Sequence, residues 1–117
     1  MLWVNISSLF MLLGVALGAF GAHAMKGHYS DYAMEVYKTA VFYHIVHALG
    51  LFVVAWLNTL ITDPKIMWAG ILFIAGIILF SGSLYLLALT GVSWLGAITP
   101  LGGLSFLVGW GLLIFIR

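Results

Sequence analysis

The chain has 117 residues, of which 65% are hydrophobic and 6% are charged, with four Lys/Arg against three Asp/Glu and a formal net charge of +1. Seven charged side chains cannot cover a water-soluble surface, which runs to roughly 25–35% charge. The composition excludes a soluble globular domain, a disordered chain and a nucleic-acid binder with its basic stripe. It leaves an integral membrane protein. Four runs are each long enough for the roughly 20 apolar residues that a spanning helix needs, at about 2–22, 39–61, 66–89 and 94–116. They are apolar all round, whereas barrel strands alternate in polarity. The expected architecture is an all-α membrane four-helix bundle forming a single domain.

The first run, Leu2 to Ala22, ends at Ala22-His23-Ala24, a small-x-small triplet like a signal-peptide cleavage site. No Lys or Arg precedes it, so it is expected to stay as a span. Gly14, Gly18 and Ala22 recur every four residues on one face, with Gly21 beside them. Small residues let helices approach closely in lipid. That face has two readings: internal packing, the commoner use, or a seam between copies of the chain. The stretch from His23 to Lys38 is polar, and Asp31 to Tyr37 is expected as a short amphipathic lead-in on the membrane surface. It also holds His23, Met25 and His28, which read as an interfacial loop.

The second run carries a polar row. Glu35, Thr39, Tyr43 and His47 fall every four residues and share a face, with His44 close to it. His47 lies about 12 Å along the axis from Thr39, too deep for bulk water. Polar groups at that depth are candidate functional groups by default. Three readings compete. One is an internal hydrogen-bond network with Ser81, Ser83, Tyr85 or Thr99. Another is a pocket for a lipid-like or quinone-like molecule. The third is a metal or haem at His44/His47, for which the chain supplies few ligands. Absence of cysteine removes disulfides, thiol catalysis and cysteine metal sites.

Asp63 is placed to cap the third helix, with Pro64 at its first position. Thr90-Gly91 is a fitting helix end. Gly70, Gly76 and Gly82 mark that run, and Gly102 and Gly109 share a side of the fourth. Gly96, Pro100, Gly102 and Gly103 crowd the start of the fourth run. Either the helix starts near Ser93 and kinks at Pro100, or it starts at Pro100 after irregular backbone at Ala97 to Thr99. Trp3, Trp68 and Trp94 suit interface anchors, with Trp56 and Trp110 deeper. Lys65 and Arg117 on one side balance Lys26 and Lys38 on the other, so the positive-inside count is tied. Since Lys65 and Arg117 stand at helix ends, the orientation expected is both termini cytoplasmic.

GAFGAHAM (Gly18 to Met25), TAVFYHIVHALGL (Thr39 to Leu51), FSGSLYLLALTG (Phe80 to Gly91) and LGAITPLGGLSFLVGW (Leu95 to Trp110), in this order and spacing, resemble the YwdK/YgdD-type family of small bacterial membrane proteins. The resemblance spans nearly the whole chain and implies a four-helix membrane protein in a bacterial cell (inner) membrane. It implies no activity, because the family's function is unknown. Its motif positions include His23, Tyr43, His47, Ser81, Tyr85, Thr99 and Pro100.

The function expected is non-enzymatic, since no paired deep carboxylates, thiol or nucleophile–base spacing is present. The candidate ligand site comprises His23, Thr39, Tyr43, His44, His47, Ser81, Tyr85, Thr99 and Pro100, with no cofactor or metal assigned. Expected partners are membrane lipids, further copies of the chain or a membrane complex, and no nucleic acid. The alternatives are a small transporter or channel-like subunit, for which Glu35 is the sole coupling carboxylate, and an accessory subunit of a complex.

Overall fold

The computed structural model describes residues 1–117. Four helices are long and apolar enough to cross a membrane: α1 (Leu2–His23), α2 (Asp31–Leu60), α3 (Pro64–Thr90) and α4 (Ser93–Ile114). The chain contains no strand. It is a small integral membrane protein with the four-helix bundle architecture expected from its apolar runs.

Helix α2 departs most from expectation. It begins at Asp31, not near Thr39, because Ser30 caps it: the Ser30 Oγ accepts from the Ala33 N–H at 3.1 Å. Asp31 in the first turn also suits the positive end of the helix dipole. The polar residues from Asp31 to Lys38 are therefore the first turns of a 30-residue helix, and no separate surface lead-in exists. At 1.5 Å per residue α2 is about 45 Å long, against a hydrocarbon core of about 30 Å. Its polar first turns thus have room to stand at the headgroup level.

Helix α3 starts as its sequence indicates. The Asp63 Oδ1 accepts from the Lys65 N–H at 2.9 Å, with Pro64 in the first turn. The Asp63 Oδ2 accepts from the Arg117 N–H at 3.0 Å, so the C-terminus is tied to the α2–α3 turn. These two backbone donors, Lys65 first, hold the Asp63 carboxyl below its ordinary range. Midway along α3 the helix widens into a π turn at Ile77–Ser81. The helix ends at Gly91, whose φ of 71° only glycine adopts readily.

Helix α4 settles the two readings of its start. Ser93–Ala97 is a 3₁₀ turn and the α-helix proper runs Thr99–Ile114, with Pro100 in its first turn. There the missing N–H breaks no helical bond, so Pro100 kinks nothing. Before it, the 3₁₀ turn joins the α-helix through Ile98, whose φ and ψ of −79° and −33° stay in the right-handed helical region.

Each helix packs on its neighbour in sequence: α1 on α2, α2 on α3, α3 on α4. The bundle is flattened, with extents of 48 × 26 × 17 Å. The core lies between α2, α3 and α4, at Leu51, Val54, Ile66, Ala69, Phe73, Ile77 and Phe106. Helices α1 and α4 keep most of their surface outward, which costs nothing in lipid.

The glycine face of α1 is used internally. A Cβ at Gly14 would meet Ile45 at 3.0 Å, one at Gly18 would meet Val41 at 3.3 Å, and one at Gly21 would lie inside the Tyr37 ring. Ala22 faces outward, so Gly21 takes the place expected of it. Gly102 and Gly109 both pack against α3, the first on the Phe80 backbone and the second on the Phe73 ring.

Candidate binding site

The polar row on α2 divides by depth. Glu35 and Thr39 are exposed, and the Thr39 hydroxyl donates to the Glu35 carbonyl of its own helix at 3.0 Å. Deeper, His44 and His47 are both buried, 3% and 4% exposed, and they turn to different helices.

The His44 Nε2 lies 2.8 Å from the Phe10 carbonyl of α1, and its Nδ1 lies 2.8 Å from the Tyr85 hydroxyl of α3. A carbonyl only accepts, so Nε2 carries the proton and Nδ1 accepts from Tyr85. In His47 the order reverses. Its Nε2 accepts from the Trp110 indole N–H at 2.9 Å. The proton must then sit on Nδ1, which donates to the Tyr43 carbonyl at 2.8 Å. The two imidazoles are neutral, of opposite tautomer, and fully partnered.

Most other links between helices run from a side chain to a backbone carbonyl. Tyr37 donates to Leu17 at 2.5 Å, Ser81 to Ala40 at 2.8 Å and Ser105 to Leu72 at 2.6 Å. A pattern joins three of these acceptors. Phe10, Leu17 and Leu72 each have glycine four residues later: Gly14, Gly21 and Gly76. A helical side chain leans over the turn before it, so the residue at i+4 normally shields the carbonyl of residue i. Glycine there exposes the second lone pair to a donor from the next helix. These glycines serve close packing and hydrogen bonding together.

The expected site residues do not converge on one point. His44 and Tyr85 form one station between α1, α2 and α3. The Ser83 hydroxyl, 2.9 Å from the Phe80 carbonyl, pairs with Thr99 at 2.7 Å to form another between α3 and α4. His47 and Trp110 form a third between α2 and α4. His23 sits exposed at the end of α1, apart from all three. The same geometry lends the metal reading of His44/His47 no support. Their four ring nitrogens already bond to four separate protein groups, and no three His, Asp or Glu side chains gather anywhere in the chain.

One part of the row does border open space. A groove of about 500 Å³ on the membrane-facing side of α2 and α4 is lined by Tyr43, His47, Phe80, Pro100, Gly103, Leu104, Phe106, Leu107 and Trp110. His47 stacks on Phe106 with centroids 3.5 Å apart and planes 11° apart. Tyr43 is 39% exposed. Its carbonyl serves His47, while its hydroxyl bonds to no group in the chain. Trp110, Phe106 and Gly103 were not in the expected site. A faint signal existed: Phe106 and Trp110 are four apart, the spacing of Tyr43 and His47 on the facing helix.

Comparison with known proteins agrees with the architecture. Residues 17–103 match the model of a family described as protein of unknown function (DUF423). The UPF0382 membrane protein YwdK of Bacillus subtilis is 48% identical over 113 residues, covering 96% of this chain and 92% of the relative. UPF0382 membrane protein SH2409 of Staphylococcus haemolyticus is 45% identical, covering 97% and 92%. UPF0382 membrane protein SAUSA300_0565 of Staphylococcus aureus is 43% identical over the same shares. No solved structure matches the chain. With the family model covering most of the sequence and relatives this similar over nearly their full length, the chain belongs to the DUF423 family, as a small multi-pass membrane protein of the YwdK type.

Proposed function

We propose that this protein is non-enzymatic and holds an uncharged, lipid-like molecule in the groove between α2 and α4. The observation that carries this reading is the Tyr43 hydroxyl, a hydrogen-bond donor without a protein partner on an apolar groove. With the polar turns of α2 up to Lys38 at the headgroup level, Tyr43 lies five residues further along, about 7.5 Å inside the hydrocarbon layer. An unpaired donor there costs several kcal/mol, about the full price of a lost hydrogen bond in lipid. An acceptor that travels with an apolar tail, such as a quinone-like carbonyl, would pair with it. A phospholipid headgroup is charged and stays at the interface.

The neighbouring groups favour binding over chemistry. His44 and His47 have no free lone pair to serve as a base. Glu35, the sole coupling carboxylate open to a transport reading, is exposed and lies 3.6 Å from Lys38 near the start of α2. We also propose that both termini face the cytoplasm. The Lys/Arg count is level, with Lys26 and Lys38 at the opposite end. What supports this orientation is that Lys65 and Arg117 stand immediately at helix ends on the side that carries both termini.

Native mass spectrometry of the chain released from its own membrane tests the groove. Gly103 is the residue to change, because a Cβ there meets Phe80 only at 3.7 Å, so Gly103→Leu fills the groove without entering the core. A small apolar molecule retained by the wild type and lost from Gly103→Leu supports the reading. Equal retention, or none in either, overturns it.

A further inference from the structure

A second groove lies on the other side of α2, against α1. It holds about 430 Å³, and its walls include Gly18, Gly21 and Ala22 of α1 and Met34, Lys38 and Val46 of α2. Gly18 and Ala22 keep α1 slim along this side, while the Tyr37 ring fills the place above Gly21. The groove follows the helix axis from Met34 to Val46, about 18 Å at 1.5 Å per residue. With the polar turns of α2 up to Lys38 at the headgroup level, the groove runs inward from Lys38 to Val46, about 12 Å along the axis, against a half-thickness of about 15 Å for the hydrocarbon layer. It has the length and direction of one acyl chain of a single leaflet.

Its outer end is charged. Lys38 is the one cation lining the groove, and its side chain is 67% exposed. Lysine near a helix end reaches outward to the headgroup level. Lys38 lies 3.6 Å from Glu35, itself 75% exposed. An exposed pair of that kind holds weakly, and a phosphate competes with it.

We propose that this α1–α2 groove is a binding site for one anionic phospholipid. One acyl chain lies along Gly18 and Ala22 of α1, across the Tyr37 ring that covers Gly21, and the phosphate meets Lys38. An anionic headgroup fits better than a zwitterionic one, whose own ammonium would be set against the lysine. Glu35 weakens the site, and its neutral variant binds more tightly.

The test uses the full chain carrying Gly103→Leu, which closes the α2–α4 groove, in bilayer discs of equal phosphatidylglycerol and phosphatidylethanolamine. Native mass spectrometry reads the lipid retained. The expected result is preferential retention of one phosphatidylglycerol. Lys38→Gln lowers the preference about fivefold, the effect of one basic residue near a membrane surface, while Lys38→Arg keeps it and Glu35→Gln raises it. Ala22→Phe, at an outward-facing position, removes retention while leaving the helices folded by circular dichroism. Equal retention of the two lipids, a preference unmoved by Lys38→Gln, or retention unmoved by Ala22→Phe overturns the proposal. Since the other groove is closed throughout, none of these results depends on what that groove holds.

Discussion

At the scale of single residues, neutral side chains supply the polar contacts within the hydrocarbon layer. His44, His47, Tyr85, Trp110 and Thr99 are each paired inside the chain, and removing a partner leaves a polar group unpaired in lipid. Tyr85→Phe deprives the His44 Nδ1 of its donor, and destabilisation of about 1–2 kcal/mol is expected, read from unfolding in mixed detergent. Unchanged stability would remove that bond from the account. Tyr43→Phe differs because its hydroxyl has no internal partner. Stripped of ligand, the Tyr43→Phe protein should be more stable than wild type by about 1 kcal/mol or more, since it removes an unpaired donor from lipid; a loss of stability would contradict the unpaired hydroxyl.

Asp63 is the residue whose titration matters. Its carboxylate accepts from the Lys65 and Arg117 N–H groups and is held below its ordinary value of 3.8. For a carboxylate shifted downward, the stabilisation is complete above the unfolded value and fades as pH falls through the folded one. Protection of the Arg117 amide from hydrogen exchange should persist through mildly acidic pH and fail only below the ordinary carboxylate range. Asp63→Ala should abolish it at neutral pH. An Arg117 amide that exchanges equally fast in both proteins would contradict the tether.

At the scale of elements, glycine fixes how closely α1 approaches α2. The Tyr37 ring crosses Gly21 to reach the Leu17 carbonyl. Gly21→Ala should displace that ring and cost about 1–3 kcal/mol, as overpacking does. Gly111→Ala, with nothing within 4 Å of its Cβ, should cost nothing. Equal effects of the two would refute the close-packing role.

The element scale also shows what could be read from sequence. Apolar length gave the four spans, and Asp63-Pro64 and Thr90-Gly91 marked two helix ends correctly. The start of α2 at Asp31 is not legible in hydropathy, which locates the lipid boundary and not the helix boundary. Ser30, the actual cap, lies outside the apolar run. The π turn at Ile77–Ser81 leaves no trace in the pattern, because it shifts the helical phase within a run that is apolar all round and so marks no face. Among site residues, the row on α2 was legible from its spacing of four. The direction in which His44 and His47 point was not, because a three-residue step turns them toward different helices. The partner of His47 is 63 positions away, and only the fold brings Trp110 to it.

At the scale of the whole molecule, a flattened bundle with α1 and α4 facing outward leaves two lipid-facing grooves on opposite sides of α2. The end of the bundle with both termini carries Lys65 and Arg117, and a reporter fused after Arg117 should be active only as a cytoplasmic fusion. Activity of a periplasm-dependent reporter at that position would reverse the orientation. The proposed ligand would lie in the groove beside Tyr43 and His47, which combines an open apolar wall with one unpaired donor. The most direct measurement is native mass spectrometry of the membrane-extracted chain, comparing wild type with Gly103→Leu and Tyr43→Phe. The expected result is an uncharged apolar molecule held by the wild type, weakened by loss of the Tyr43 hydroxyl and absent from Gly103→Leu. A bare wild-type chain, or a ligand held equally by all three proteins, would contradict it.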